Sequence, residues 1–159
     1  MSEREEILDF LFKNKSFIFG GYVYKYTIRG EETKDIDVAV PNHIFHKIFF
    51  GLQNKYGCKL IKFHEKDGIK NVGMICHGQH FDLQDAKSVI NLLANSNIEL
   101  TRLVLVDRKK FAYLTNKGIL NTTHSKIKQV KNNILQSKIN DKNFKNDKHK
   151  IYFKDWEIC

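Results

Sequence analysis

Apolar residues fall into two kinds of period along this chain, and the change from one to the other marks the elements. Ser2-Glu3-Arg4-Glu5 has the form of a capping box, and Ile7, Leu8 and Leu11 then share one helical face, which predicts a helix over about 3–13. Phe17-Ile18-Phe19 reads as a short strand, broken by Gly20-Gly21. A helix or helical turn is expected from Gly21 to about Ile28, then a loop over 30–34. Asp35-Ile36-Asp37-Val38-Ala39-Val40 alternates as a strand and stops at Pro41, the one proline. Asn42 is expected to cap a helix running to about 55, with Phe45, Ile48, Phe49 and Leu52 inward, and Phe45, Phe49 and Phe50 form its core cluster.

Three strands are predicted next, at 58–63, 70–76 and 80–84. Lys66-Asp67-Gly68 and His77-Gly78-Gln79 supply the turns between them. A short helix over 86–95 and a strand pair at 102–106 and 111–115 follow. A helix is expected at 125–139, and beyond it Ile151-Tyr152-Phe153 and Trp156 can dock back on the domain. The pattern as a whole gives an α+β fold, a single domain with a small mixed sheet packed against helices.

Composition agrees with a folded domain. The chain has 159 residues, 42% hydrophobic, and no run apolar enough to span a bilayer. Cys58, Cys76 and Cys159 are widely spaced and odd in number, which favours free thiols and a cytoplasmic setting. The acidic start MSEREEILDF does not read as a secretory signal. Net charge is +9, and Lys126–Cys159 alone carries +5. Such a basic tail suits a polyanionic partner such as RNA, although Lys-, Asn- and Ile-rich composition also produces it without any such partner.

The candidate chemistry lies in the carboxylates. Asp35 and Asp37 stand on one face of a strand while Ile36 and Val38 turn to the core. Two carboxylates side by side repel and are costly to desolvate, and a divalent cation relieves both. Asp82, between Phe81 and Leu83, would complete a three-carboxylate patch if its strand lay beside 35–40. Asp85 is the competing carboxylate, though its position suits a strand end or the cap of the next helix. The Gly20-Gly21 turn offers backbone N–H groups to phosphate. Cys76-His77 and His80 read as a surface hairpin, because a zinc site needs a second, separated half. Of Tyr22, Tyr24 and Tyr26, the first and last share a helical face, in a packing role.

Together, Phe19-Gly20-Gly21, the spacer 22–34, Asp35-Ile36-Asp37-Val38 and Phe81-Asp82-Leu83 resemble the DNA polymerase beta-like nucleotidyltransferase superfamily. Gly20-Gly21-Tyr22-Val23, with Ile28-Arg29-Gly30 and Lys34-Asp35 after it, is most similar to the head domain of CCA-adding enzymes and bacterial-type poly(A) polymerases. Glu99–Asp107 resembles a later strand of that head, so the likeness covers about 16–120. Tyr24-Lys25 replaces the Arg-Asp of that family's GGxVRD motif, and its neck, body and tail domains have no counterpart.

The resemblance implies a nucleotidyltransferase-like catalytic domain over 1–124, with a basic C-terminal helix and tail over 125–159. Asp35, Asp37 and Asp82 would be catalytic and would hold Mg²⁺ (or Mn²⁺). Gly20, Gly21, Lys25 and Arg29 would bind the nucleotide. The implied reaction moves NMP from an NTP, ATP included, to a hydroxyl, foremost an RNA 3′ end such as that of a tRNA, and releases pyrophosphate. A homodimer or partner chain would replace the absent body domain. The alternatives are a reduced, nucleotide- or RNA-binding module, and a transferase acting on a protein or small molecule.

Overall fold

The structure is a computed structural model that describes residues 2–28, 30–94, 102–115 and 118–120, with positions 129, 132, 157 and 158. It is a mixed α+β domain. The elements are α1 (Glu3–Lys13), β1 (Phe17–Phe19), a π-helical segment (Tyr22–Ile28), β2 (Asp35–Val40), α2 (Phe45–Tyr56), β3 (Lys59–Lys66), β4 (Ile69–Cys76), β5 (Gln79–Asp85), α3 (Ala86–Ala94), β6 (Leu103–Asp107), β7 (Lys110–Thr115), β8 (Gly118–Leu120) and β9 (Glu157–Ile158).

Among the described residues these strands make one sheet in the order β3-β4-β5-β2-β1-β6-β7-β8, with β9 alongside β7. The sheet is therefore wider than the sequence suggests, since β8 and β9 lack a readable alternating pattern. β2 and β5 run parallel, and α2 with the β3–β4 hairpin forms the crossover between them. The β3–β4 and β4–β5 turns are two-residue left-handed turns, with φ of 55° and 78° at Asp67-Gly68 and 50° and 81° at His77-Gly78.

Alternation along the strands sorts the sheet into two faces. Ile18, Ile36, Val38, Val72, Met74, Phe81, Leu83 and Leu105 point to one face and pack with Ile7, Leu8 and Leu11 of α1 and Ile48 and Leu52 of α2. On the other face, α3 covers only part of the sheet, where Val89 and Leu93 meet Phe17, Phe19, Ala39, Val104, Ala112 and Leu114. The remainder of that face, over β2, β5, β4 and β3, carries the polar residues described below.

Local chemistry accounts for the boundaries. The Ser2 hydroxyl accepts from the Glu5 N–H at 3.2 Å and starts α1. Gly57, at φ 67°, ends α2 in the left-handed conformation. Arg108, in the β6–β7 turn, pairs with Glu5 at 2.7 Å and Asp9 at 2.9 Å and ties that hairpin to α1.

Two expectations are corrected. Asn42 does not cap α2: it lies inside a 3₁₀ turn, Asn42–Ile44, after Pro41, and α2 starts without a side-chain cap. Phe50 is not core but 51% exposed, and Phe49 is only partly buried, because the helical stripe runs Phe45, Ile48, Leu52. The expected helix at 125–139 and the docking of Ile151–Trp156 fall outside the described residues, except that Gln129 and Asn132 are helical. Among the described residues no helix is long and apolar enough to cross a membrane.

Candidate functional site

Parallel pairing of β2 with β5 sets Asp37 directly opposite Asp82, with Asp35 opposite His80. Asp35 and Asp37 are two apart on one strand, so the three carboxylates occupy one face. The row continues in register from Asp37 through Asp82 to Gly73 on β4 and Lys62 on β3. Asp85 sits three residues from Asp82 and therefore on the opposite face, where it is buried. Its Oδ2 accepts from both the backbone N–H and the hydroxyl of Ser88, each at 3.1 Å, so it caps α3.

Electrostatics mark Asp37 out. Burial pushes its carboxyl up from the ordinary value of 3.8 to about 6, and the charges of Asp82 and then Asp35 push in the same direction. Two basic groups lie near the rim of the cluster: Lys62 Nζ is 4.0 Å from Asp82 Oδ1, and His80 Nδ1 is 3.9 Å from Asp35 Oδ1. Both pairs are substantially open to solvent and hold little energy on their own.

The glycines shape the ground beside these carboxylates. Gly20 has φ 74°, and a Cβ there would lie 2.8 Å from Asp37 Oδ2. Only glycine therefore lets the β1 turn close against Asp37. On the far side, a Cβ at Gly73 would lie 3.0 Å from Lys62 Cγ and 3.5 Å from Asp82 Oδ1, so its absence makes room for both side chains. A cleft of about 370 Å³ opens next to Asp35 and Asp37, lined also by Gly21, Tyr24, Lys25, Glu32, Thr33 and Lys34. A larger hollow of about 540 Å³ lies between α1 and α2, but it is lined by the mixed charges of Glu6, Asp9, Lys13, Lys47 and Lys55 and lacks such a convergence.

Wide helical geometry after Gly21 brings Tyr22 over Tyr26, their rings stacked with centroids 5.0 Å apart, and Tyr22 is buried. Burial pushes its phenol far up, out of the range in which it could exchange a proton near neutrality. Tyr24 faces the cleft and carries Lys25 Nζ over its ring at 5.9 Å. The Lys34 carbonyl accepts from Gln79 Nε2 at 2.7 Å and from the His80 N–H at 3.2 Å, which fixes the approach to β2 against β5.

The structure thus brings Asp35, Asp37 and Asp82 together with Gly20, Gly21 and Lys25, while Arg29 lies outside the described residues. Sequence reasoning missed Lys62, His80 and Gly73. Their roles follow from cross-strand register, which no local pattern reveals.

Asp35, Asp37 and Asp82 carry oxygen donors of the type a hard divalent cation takes. Burial first, and then the charges of Asp82 and Asp35, hold Asp37 above its ordinary value, and Gly20 leaves room for its carboxylate. No protein-family model matches this chain, and no curated protein matches it significantly.

Proposed function

We propose that this carboxylate face carries metal-dependent nucleotidyl transfer, moving NMP from an NTP to a hydroxyl acceptor, foremost an RNA 3′ end. The observation that supports this reading most strongly is the register Asp37 opposite Asp82, with Asp35 on the same face and Gly20 closed against Asp37.

Asp35 and Asp37 would hold Mg²⁺, and Asp82 would serve as third ligand and orient the attacking hydroxyl. When bound, Mg²⁺ supplies charge neutralisation for the phosphates and the leaving pyrophosphate. The chain's own contribution is positioning. Gly20 and Gly21 let phosphate approach the backbone, Lys25 balances its charge as a point cation, and the cleft beside Tyr24 takes the nucleotide. An acceptor backbone would run toward β3, where Lys59, Lys62, His64 and Lys66 are exposed.

A second reading draws on Lys62. A cation 4.0 Å from Asp82 can take over part of the neutralising work of a metal, which suits a nucleotide-binding module without turnover.

One experiment separates the two. Purified protein is incubated with each labelled NTP, Mg²⁺ and a small-RNA pool, beside Asp35→Asn and Asp37→Asn. Transfer of label to RNA by the wild type alone is expected, with activity in either variant lower by roughly a thousandfold. Nucleotide binding with no label transferred to RNA, protein or small molecule favours the binding module. Equal transfer by wild type and variants refutes the carboxylate mechanism.

A further inference from the structure

The end of the domain under the opposite sheet face gathers a different set of donors. Cys76 closes β4 on the side of Met74 and Val72, away from Asp82, and is only 4% exposed. His77 begins the β4–β5 turn and Glu3 lies in the first turn of α1, where the helix dipole favours its charge. The donor atoms of Glu3, Cys76 and His77 all lie within 4.8 Å of one another. A second thiol adjoins them. Cys58, also 4% exposed, follows the left-handed end of α2, and burial, with Cys76 beside it, pushes its thiol up.

A surface ion pair explains part of this arrangement. His77 Nε2 stands 2.6 Å from Glu3 Oε1, with side chains 64% and 43% exposed. It does not explain why a buried thiol, backed by a second one, reaches the same point. The separated second half that a zinc site requires is absent from the sequence around Cys76-His77. The fold brings Glu3 of α1 to that point.

We propose that Glu3, Cys76 and His77 form a binding site for a thiophilic divalent ion, with Zn²⁺ as the best match and solvent completing its coordination. Sulfur, nitrogen and carboxylate oxygen from two separate chain segments are the ligand types of tetrahedral zinc. Tetrahedral donors sit roughly 3.6 Å apart, so the observed cluster needs only small side-chain rotations to close. Binding takes the proton that Cys76 Sγ donates to the Tyr56 carbonyl at 3.0 Å, and releases it to solvent. The ion's charge then compensates the buried thiolate, and the site staples the start of α1 to the β4–β5 hairpin. This site is independent of the nucleotidyl-transfer reading.

The test uses full-length protein, stripped of metal and kept reduced, titrated with Co²⁺ and then with Zn²⁺. A thiolate-to-cobalt absorption band that saturates at one equivalent and is displaced by Zn²⁺ is the expected result. Cys76→Ser should abolish the band. The exposed variants His77→Gln and Glu3→Gln, which leave the core untouched, should each weaken binding by at least about tenfold. Asp37→Asn should bind as the wild type does, which separates this site from the carboxylate face. Absence of a thiolate band, or a band undiminished in both Cys76→Ser and His77→Gln, overturns the proposal. If Cys76→Ser does not fold, the His77→Gln titration decides.

Discussion

The two faces of one sheet treat carboxylates in opposite ways. At the end of β5, Asp85 is buried and takes both hydrogen bonds that Ser88 offers, so its charge is absorbed by the start of a helix. Three residues earlier on the same strand, Asp82 stands across from Asp37 and near Asp35, where carboxylate faces carboxylate. The first arrangement stabilises the fold, as local capping does. The second opposes it, since repulsion and desolvation push Asp37 toward its protonated form. Carboxylates gathered at the expense of stability are the mark of a site, whereas a carboxylate satisfied within its own turn is architecture.

The sharpest way to break this comparison is to neutralise each aspartate in turn. Asp82→Asn should lower the proposed nucleotidyl transfer by roughly a hundredfold to a thousandfold with the melting temperature unchanged or raised. Asp85→Ala should do the reverse, costing on the order of 1 kcal/mol of stability through the lost cap and leaving turnover per folded molecule intact. Initial rates with labelled NTP and thermal melts, measured on both variants, check the pair together. If Asp85→Ala proved the more damaging to turnover, the two faces would have been assigned the wrong way round.

Gly20 sharpens the comparison at the next level of effect. Alanine there meets Asp37 Oδ2 at 2.8 Å and takes φ 74°. Gly57 at the end of α2 has a similar φ, 67°, but open space around its missing Cβ. The backbone penalty, about 1–2 kcal/mol for a left-handed alanine, is therefore common to Gly20→Ala and Gly57→Ala. Displacement of Asp37 is specific to the first. We expect both variants to melt earlier by similar amounts in chemical denaturation. Transfer activity should fall about tenfold or more only in Gly20→Ala.

Much of this contrast is legible in the sequence, for physical reasons that differ by residue. α1 declares itself through Ser2 and the Ile7-Leu8-Leu11 stripe, and β2 through strict alternation up to Pro41, because those signals are local. Asp35 and Asp37 are visible for the same reason, and the two apolar flanks of Asp82 mark it as a strand residue apart from Asp85, which caps α3. Lys62, His80 and Gly73 are not visible, since each joins the carboxylates through the register of a neighbouring strand. Glu3 is hidden from Cys76 and His77 by more than seventy positions of chain, and only the packing of α1 on the sheet unites them. Phe50 misleads because hydrophobicity alone does not say which side of a helix meets the core, and the 100° stripe passes it by.

The smallest effect bears most directly on why the carboxylate face is costly. Asp37 has a higher proton affinity in the folded chain, with a pKa of about 6, than the ordinary 3.8 expected when unfolded. Between those values the folded state binds more protons, so stability falls as pH rises through that window and levels off above it. The stabilising contribution of protonated Asp37 is fully present below the unfolded value and is lost once pH passes the folded one. Asp37→Asn removes this dependence. The variant should be more stable than the wild type at neutral pH by on the order of 1 kcal/mol after solvent screening, which is about 2–4 °C for a chain of this size. The advantage should vanish as pH drops below the ordinary carboxylate value. Mg²⁺ should narrow the same gap from the other side, by raising the melting temperature of the wild type at neutral pH more than that of the variant. Melts of both proteins at neutral and acid pH, with and without Mg²⁺, read all of these terms. A variant less stable than the wild type at neutral pH would mean that Asp37 is held by favourable contacts, and that the two faces of the sheet do not differ in the way described.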